Sequence, residues 1–368
     1  MYTEKDLVRV ARREKNNRRK YLVVNRLQGK HIPADPAKTL AMFDELARPL
    51  TERYRDRKVL VIGFAETATA IGSRLAIRLN SLYIQTTREQ TDHVEYLYFT
   101  ESHSHAAEQK LIKTDLDQVM DEIDEIIFAE DEVTTGNTIL KLVRLIRNTY
   151  GTKVDFSVAS LINGMDAASE RVYEENHICV HYLVKTDHSG YSGIAEGWAE
   201  DGSCLTPSKN LPLPEIRRLE PKGYVDGRRL LKGEDYDRAC ESLWRQISGA
   251  GDFTGRESVL VLGTEEFMYP AIYAAYRLAG MGCEVRTHST TRSPIAVSRE
   301  EAYPLHCRYE LRSLYEDGRR TFVYDIGCYD RVIVMTDSAN ASEEGVEDLC
   351  RAAAESGNSH ITVIRWRQ

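Results

Sequence analysis

No run of 18 or more apolar residues occurs in the 368-residue chain, which excludes a membrane-spanning helix. No Cys-x-x-Cys pair occurs either. The cysteines are Cys179, Cys204, Cys240, Cys283, Cys307, Cys328 and Cys350, an odd number set far apart. That spacing argues against a disulfide or zinc framework and fits a reducing compartment. The opening MYTEKDLVRVARREKNNRRK lacks the apolar core of a secretory signal, so the cytoplasm is the expected location. An excess of positive charge is missing too: 49 Lys and Arg face 57 Asp and Glu, a formal charge of -8. Such a balance is unsuited to tracking a nucleic-acid backbone. The basic cluster Arg12 to Lys20 is the exception, and it reads as a solvated helix face. What is present is ordinary globular usage, 42% hydrophobic and 29% charged. This excludes disordered, collagen-like and disulfide-dense classes. At roughly 150 residues per domain, the length suggests about two domains.

The apolar runs alternate with amphipathic stretches. Residues 58–63, KVLVIG, read as a buried strand closed by Gly63. A helical pattern follows, with Ile71, Leu75 and Leu79 on one face. Leu82 to Ile84 reads as a strand, Thr86 to Glu108 as a polar stretch without period, and Ile123 to Phe128 as a second buried strand. An acidic, Thr/Gly-rich turn then leads into a helix through Leu142, Val143 and Ile146, and strands are expected at 156–162 and 178–184. Strands alternating with helices predict a parallel sheet covered on both faces. The Gly/Pro-rich stretch 189–235 holds a domain boundary. We place it at 215, giving domains 1–215 and 216–368.

The second half echoes the first. SVLVLGTEEFMYPAIYAAYRLAG at 258–280 has the layout of KVLVIGFAETATAIGSRLAIRLN at 58–80. Each copy is followed by a strand and a Thr-Thr-Arg, Thr86-Thr87-Arg88 and Thr290-Thr291-Arg292. RVIVMTDSAN at 331–340 stands where EIIFAEDEVTTGNT stands at 125–138. The spacing fits duplication of a whole domain; the competing reading is that unrelated α/β domains share strand-turn-helix units.

The chemistry-bearing run is Ile126-Ile127-Phe128-Ala129-Glu130-Asp131-Glu132-Val133-Thr134-Thr135-Gly136-Asn137-Thr138. A Thr/Gly turn entering a helix directs backbone N–H groups and a positive dipole end at an anion. Gly136 permits close backbone approach, and the hydroxyls of Thr134, Thr135 and Thr138 add donors. Glu130 and Asp131 fall at the carboxyl end of a strand, where open α/β sheets bind ligands. Carboxylates there would repel a phosphate but accept hydrogen bonds from sugar hydroxyls. A phosphate grip beside a diol grip describes a ribose 5-phosphate site. An ordinary helix capped by Thr134 or Thr135 is the bland alternative.

This order and spacing resemble the type I phosphoribosyltransferase family. Glu130 replaces the commoner Asp, and Glu132 occupies a position that is usually apolar. The resemblance implies that Thr134, Thr135, Gly136, Asn137 and Thr138 hold the 5-phosphate of phosphoribosyl pyrophosphate (PRPP). Glu130 and Asp131 would take the ribose hydroxyls, with Mg2+ carried by the substrate and those two acids available to it. Ala65, Glu66 and Thr67 would form the pyrophosphate loop. Thr86 to Glu108 would be a hood that excludes water from the reacting centre, with Arg88 near the pyrophosphate. The hood itself contains no lysine; Lys110 and Lys113 lie just beyond it. His103-Ser104-His105 with Glu108 lacks an accompanying ligand set for a metal. By family position, Lys30, His31 and Asn163 would border the acceptor pocket; a structural turn is an equal reading for each.

Thr290-Thr291-Arg292-Ser293-Pro294 contains the Thr-Arg-Ser-Pro of the TRSP domain. That domain follows phosphoribosyltransferase domains in bacterial tellurite-resistance-associated biosynthetic clusters. The opening YLVVNRLQGKHIP is similar to that branch as well. The implied fold is a type I phosphoribosyltransferase-like parallel sheet flanked by helices, followed by a second, degenerate α/β domain. The implied activity is transfer of ribose 5-phosphate from PRPP to a nucleobase-like small molecule, an orotate phosphoribosyltransferase-like pentosyl transfer, with a homodimer as one assembly. Two rivals stand beside it: a PRPP or nucleotide sensor without turnover, and an interaction protein that recruits RNA or a partner through a basic N-terminal helix.

Overall fold

The computed structural model describes residues 2–14, 19–99, 109–210, 212–251, 253–340 and 342–368. His103, Ser104, His105 and Glu108, and with them the tip of the expected hood, lie outside the described residues. Two compact units emerge, and neither is a continuous segment. The first is built chiefly from Ala41–Asp187 and Val225–Ala239; the second comprises Thr3–Leu40, His188–Tyr224 and Cys240–Gln368. This differs from a single cut at 215. The N-terminal 40 residues belong with the C-terminal half, because their strands and turns bond to it, and 225–239 return to the first unit. No helix among the described residues is long and apolar enough to cross a membrane.

The first unit is organised by strands β1 (Val59–Gly63), β2 (Leu82–Gln85), β5 (Glu125–Val133), β6 (Asp155–Asn163) and β7 (Ile178–Lys185). They lie in the order β2-β1-β5-β6-β7, all parallel, with the short strand Leu231–Lys232 antiparallel on the β2 edge. Their apolar runs are the reason for burial on both faces: Leu60, Val61, Ile62, Ile126, Ile127 and Phe128 are all inaccessible. Helix α1 (Pro36–Arg53) precedes β1, and helix α2 (Thr69–Leu79) crosses over that strand, with Ile71 and Leu75 buried. Gly72 makes this crossing possible, since a Cβ there would sit 2.7 Å from the Gly63 Cα. Helix α3 (Asn137–Tyr150) buries Ile139, Leu142, Val143 and Ile146 at helical spacing. Between β2 and β5 stands an antiparallel hairpin, β3 (Tyr96–Tyr98) and β4 (Lys110–Ile112).

The second unit has β8 (Ile216–Leu219), β9 (Ser258–Gly263), β10 (Glu284–Ser289), β13 (Arg331–Thr336) and β14 (Ile361–Arg365) in the order β8-β14-β13-β9-β10, again parallel. An antiparallel hairpin, β11 (Cys307–Arg312) and β12 (Arg320–Tyr324), occupies the interval between β10 and β13. The order β2-β1-β5-β6 is thus repeated as β10-β9-β13-β14, a topology that supports the duplication read from sequence.

Two local expectations are corrected. The acid-bearing strand does not stop at Phe128: β5 continues through Glu130, Asp131 and Glu132 to Val133. The basic N-terminal cluster does not open as a helix face. Val8–Arg12 is a strand antiparallel to Tyr21–Asn25, with Arg12 paired to Glu200 and Lys20 to Glu196. Residues 15–18 of the cluster lie outside the described residues. Val8 and Ala11 are buried while the arginines between and after them remain half-exposed; pairing with the apolar Tyr21–Asn25 decides the conformation.

Candidate active site

In the first unit the order in which strands are added reverses between β1 and β5, since β1 leads to β2 on one side and β5 to β6 on the other. The carboxyl ends of these neighbours flank the crevice where open α/β sheets bind ligands. After β1 comes the turn Gly63-Phe64-Ala65-Glu66-Thr67, whose Ala65–Glu66 peptide is cis. Three contacts fix it. The Phe64 N–H donates to the Ala129 carbonyl (3.1 Å), the Thr86 N–H to the Gly63 carbonyl (2.9 Å), and the Ala65 N–H to Thr86 Oγ1 (2.9 Å). Thr67, the half-exposed residue that follows the cis peptide, donates its hydroxyl to Asp131 Oδ1 at 2.8 Å. A contact between residues 64 apart in sequence joins the expected pyrophosphate loop to the expected ribose grip.

Glu130, Asp131 and Glu132 are half-exposed at the end of β5. Glu130 accepts from the Asp131 N–H at 3.3 Å. Burial first, and then the neighbouring Asp131 charge, raise the Glu130 carboxyl well above the ordinary range. Asp131 is also raised, by burial and by Glu132, while the Thr67 hydroxyl acts in the opposite sense. The pair therefore holds a proton more readily than two separate carboxylates would, and a cation or sugar hydroxyls would relieve the repulsion.

The turn beyond Val133 enters α3 with Gly136 as the N-cap residue, in the left-handed region at φ 66°. Thr135, Asn137 and Thr138 are exposed and Thr134 is half-exposed; the Asn137 N–H donates to Thr135 Oγ1 at 3.5 Å. Tyr173, in helix α4 (Ala167–Glu175), donates its phenol to the Gly136 carbonyl at 2.9 Å. A Cβ on Gly136 would lie 2.2 Å from that phenolic oxygen. Sequence reasoning missed Tyr173, which carries no signal of its own. It also missed Thr86, whose only signal was the repeated Thr-Thr-Arg.

Arg88 is half-buried just after the bridge in which the Thr87 and Lys110 backbones exchange hydrogen bonds (2.8 and 3.0 Å). Lys110 is buried on β4; its ammonium lies over the Tyr96 ring and donates to Gln90 Oε1 at 2.6 Å. Asn163 ends β6, fully buried. Its Oδ1 accepts from the Met165 N–H (2.8 Å) and Lys185 Nζ (3.3 Å). Its amide nitrogen, and the hydroxyl of Ser160 directly across from Glu130 on β6, have no hydrogen-bond partner among the described residues. Buried polar groups of that kind call for a ligand or water.

Lys30 and His31 belong to the second unit, where Lys30 is fully buried and donates to the carbonyls of Glu265 (3.0 Å) and Thr290 (2.9 Å). The bridge between Ala34 and Thr287 ties the same segment down.

A separate cavity of about 380 Å3 lies at the amino end of the first sheet, lined by Arg53, Tyr54, Arg57, Glu125, Asp155 and Cys179 among others. Its charges meet within the wall: Arg57 pairs with Glu125 at 3.0 Å and Asp155 at 2.7 Å. Ligands of open α/β sheets bind at the other end.

A family model described as phosphoribosyl transferase matches residues 7–187, and a second, described as the TRSP domain C-terminal to it, matches residues 228–352. The chain thus carries a domain of the phosphoribosyl transferase family followed by a TRSP domain. Solved structures similar to it include adenine phosphoribosyltransferase from Rhodothermus marinus, with 16% identity over 50% of this chain and 96% of that one and a TM-score of 0.36. Adenine phosphoribosyl transferase from Trypanosoma brucei, in complex with AMP, pyrophosphate and ribose-5-phosphate, shows 14% identity over 50% and 77%, with a TM-score of 0.35. Orotate phosphoribosyltransferase from Aeropyrum pernix shows 14% over 52% and 93%, with a TM-score of 0.33. No curated protein matches the chain.

Proposed function

We propose that the first unit transfers ribose 5-phosphate from PRPP to a small, nucleobase-like acceptor and releases pyrophosphate. The observation that carries this reading is the Thr67–Asp131 hydrogen bond. It ties the loop after β1 to the acid pair that stands two residues before the Thr/Gly turn. Three grips then follow one another along a ligand of PRPP's shape. The 5-phosphate sits on Thr134, Thr135, Gly136, Asn137 and Thr138, the ribose hydroxyls on Glu130 and Asp131, and the pyrophosphate on the backbone of Ala65, Glu66 and Thr67 with Arg88 nearby.

Glycosyl transfer passes through an oxocarbenium-like transition state. The chain's task is to hold the sugar in line, to stabilise the departing diphosphate and to keep water out. Among the described residues no group of three or more His, Cys, Asp or Glu side chains makes a preformed metal site. The donors that fit Mg2+ are therefore the substrate's own oxygens, with the carboxylates of Glu130 and Asp131 beside them. When bound, Mg2+ would neutralise the leaving pyrophosphate. The unpartnered Asn163 amide nitrogen supplies a hydrogen-bonding group for the acceptor side. The cytoplasm fits this chemistry.

The test is pyrophosphate release from PRPP and Mg2+ with a panel of purine, pyrimidine and related heterocycles. Turnover with one class, lost in E130Q/D131N, supports the reading. Binding of PRPP without turnover on any acceptor would favour a sensor, and no PRPP binding would remove both.

A further inference from the structure

The loop after β1 is fixed before any ligand arrives. Its backbone is bonded to β5 through Phe64, to Thr86 through Ala65, and to the start of α2 through the Ala68 N–H, which donates to the Phe64 carbonyl at 2.9 Å. Thr69 Oγ1 closes the turn on the Glu66 carbonyl at 3.3 Å. A hydroxyl carried on so constrained a loop has few orientations available, and this one donates to one oxygen of Asp131 at 2.8 Å. The second unit lacks the arrangement. Phe267 stands at the place of Thr67 in its loop, buried, and the strand-end Asp337 is held by tyrosine hydroxyls instead.

From this we propose that Thr67 is a positioning residue, whose hydroxyl orients the Asp131 carboxylate for the ribose hydroxyls. The inference rests on the ribose-grip reading of Glu130 and Asp131 and deepens it. The backbone of the loop serves the pyrophosphate; the side chain serves the sugar. A direct contact of the Thr67 hydroxyl with pyrophosphate is the competing assignment, and the two make different predictions. Ribose 5-phosphate carries the diol and the phosphate but no pyrophosphate. If Thr67 acts through Asp131, its loss weakens both ligands; if it touches pyrophosphate, it weakens PRPP alone.

Calorimetric titration of the full chain with PRPP and Mg2+, and separately with ribose 5-phosphate, decides between them. T67V, which keeps the shape and removes the donor, should weaken both ligands by roughly tenfold, as loss of a hydrogen bond to a charged group implies. T67S, which keeps the donor, should restore both to within about threefold of the unaltered chain. On a D131A background T67V should add no further loss, since its partner is already gone. Weakening of PRPP with ribose 5-phosphate untouched, no weakening of either, or losses that multiply on the D131A background would each overturn the proposal. If the unaltered chain binds neither ligand, the ribose-grip reading falls and carries this proposal with it; binding that T67V leaves intact removes the proposal alone.

Discussion

The two units share a skeleton and differ in what occupies its crevice. In both, the Thr-Thr-Arg segment is tied to the loop after the first strand in the same way. Thr86 and Thr290 donate backbone N–H groups to Gly63 and Gly263, at 2.9 and 3.1 Å, and their hydroxyls accept from the N–H groups of Ala65 and Glu265, at 2.9 and 3.0 Å. In both, the next threonine exchanges backbone hydrogen bonds with the returning hairpin strand, at Lys110 and at Phe322. The first unit ends this skeleton in half-exposed acids, exposed threonines and a hydroxyl donor. The second fills it with its own side chains. Glu265, with 0% exposure, meets Arg319 at 3.0 Å and accepts from the Ser313 hydroxyl at 2.5 Å, while Glu266 meets Arg292 at 2.9 Å. Asp337 accepts from the Tyr224 and Tyr315 hydroxyls at 2.7 and 2.6 Å, and Ser338 Oγ donates to the Leu314 carbonyl. The same topology thus ends in half-exposed acids and threonines in one copy and in an ion-paired core in the other.

The comparison breaks most sharply at Glu265. A buried charge network is held together by mutual neutralisation, and deleting one partner leaves the others desolvated and underpaired. E265A should therefore cost about 3–5 kcal/mol, read as a large fall in the thermal midpoint of the intact chain. A loss below about 1 kcal/mol would mean that the second crevice tolerates an empty, hydrated interior. E130Q/D131N in the first unit should act in the opposite manner, on binding rather than on folding. PRPP affinity should fall by at least about a hundredfold, from two charge-assisted hydrogen bonds at roughly 1.5 kcal/mol each. Titration of the unaltered chain should give one PRPP per chain, and the double variant none at PRPP concentrations that saturate the unaltered chain. Two sites per chain, or one surviving in the double variant, would show that the second crevice opens.

The phosphate turn offers a smaller break. G136A places a Cβ 2.2 Å from the Tyr173 phenol at a residue with φ 66°, so both strain and collision oppose it. The turn should shift and PRPP binding should weaken roughly tenfold, a cost of 1–2 kcal/mol being usual for such positions. Unchanged affinity would move the 5-phosphate elsewhere.

The sequence made the strands legible because their apolar runs are buried on both faces, as KVLVIG and SVLVLG show. The acid pair and the Thr/Gly turn were legible because their residue types suit only a few ligands. The end of β5 was not: Glu130, Asp131 and Glu132 interrupt the apolar pattern, yet the strand continues because β6 pairs with it as far as Asn163. Nor could spacing show that Lys30 is a buried structural lysine, since its partners are carbonyls about 235 and 260 residues away. The plugging of the second crevice was invisible for the same reason. No spacing pairs Arg292 with Glu266 or Arg319 with Glu265; the turn between β11 and β12 brings Ser313, Tyr315 and Arg319 there.

The smallest expected effect concerns the cost of keeping the first crevice open. Glu130 is raised by burial and by the charge of Asp131, so folding opposes its ionisation. The unfolded carboxyl loses its proton at the ordinary value and the folded one retains it to higher pH. The contribution to stability is therefore fully present below the ordinary carboxylate pKa and is lost as pH rises through the raised folded value. E130Q, which cannot ionise, should be more stable than the unaltered chain at neutral pH, by about 1 kcal/mol as is usual when a functional strain is relieved. The advantage should shrink as pH falls toward the ordinary carboxylate range, where Glu130 is protonated in both states. Thermal midpoints of the two chains across that range, without ligand, measure the difference. A gap that is constant with pH would mean that Glu130 is stabilised by something other than its proton. A less stable E130Q would mean that the acid pair contributes to folding, which would bring the two crevices closer in kind than their contacts suggest.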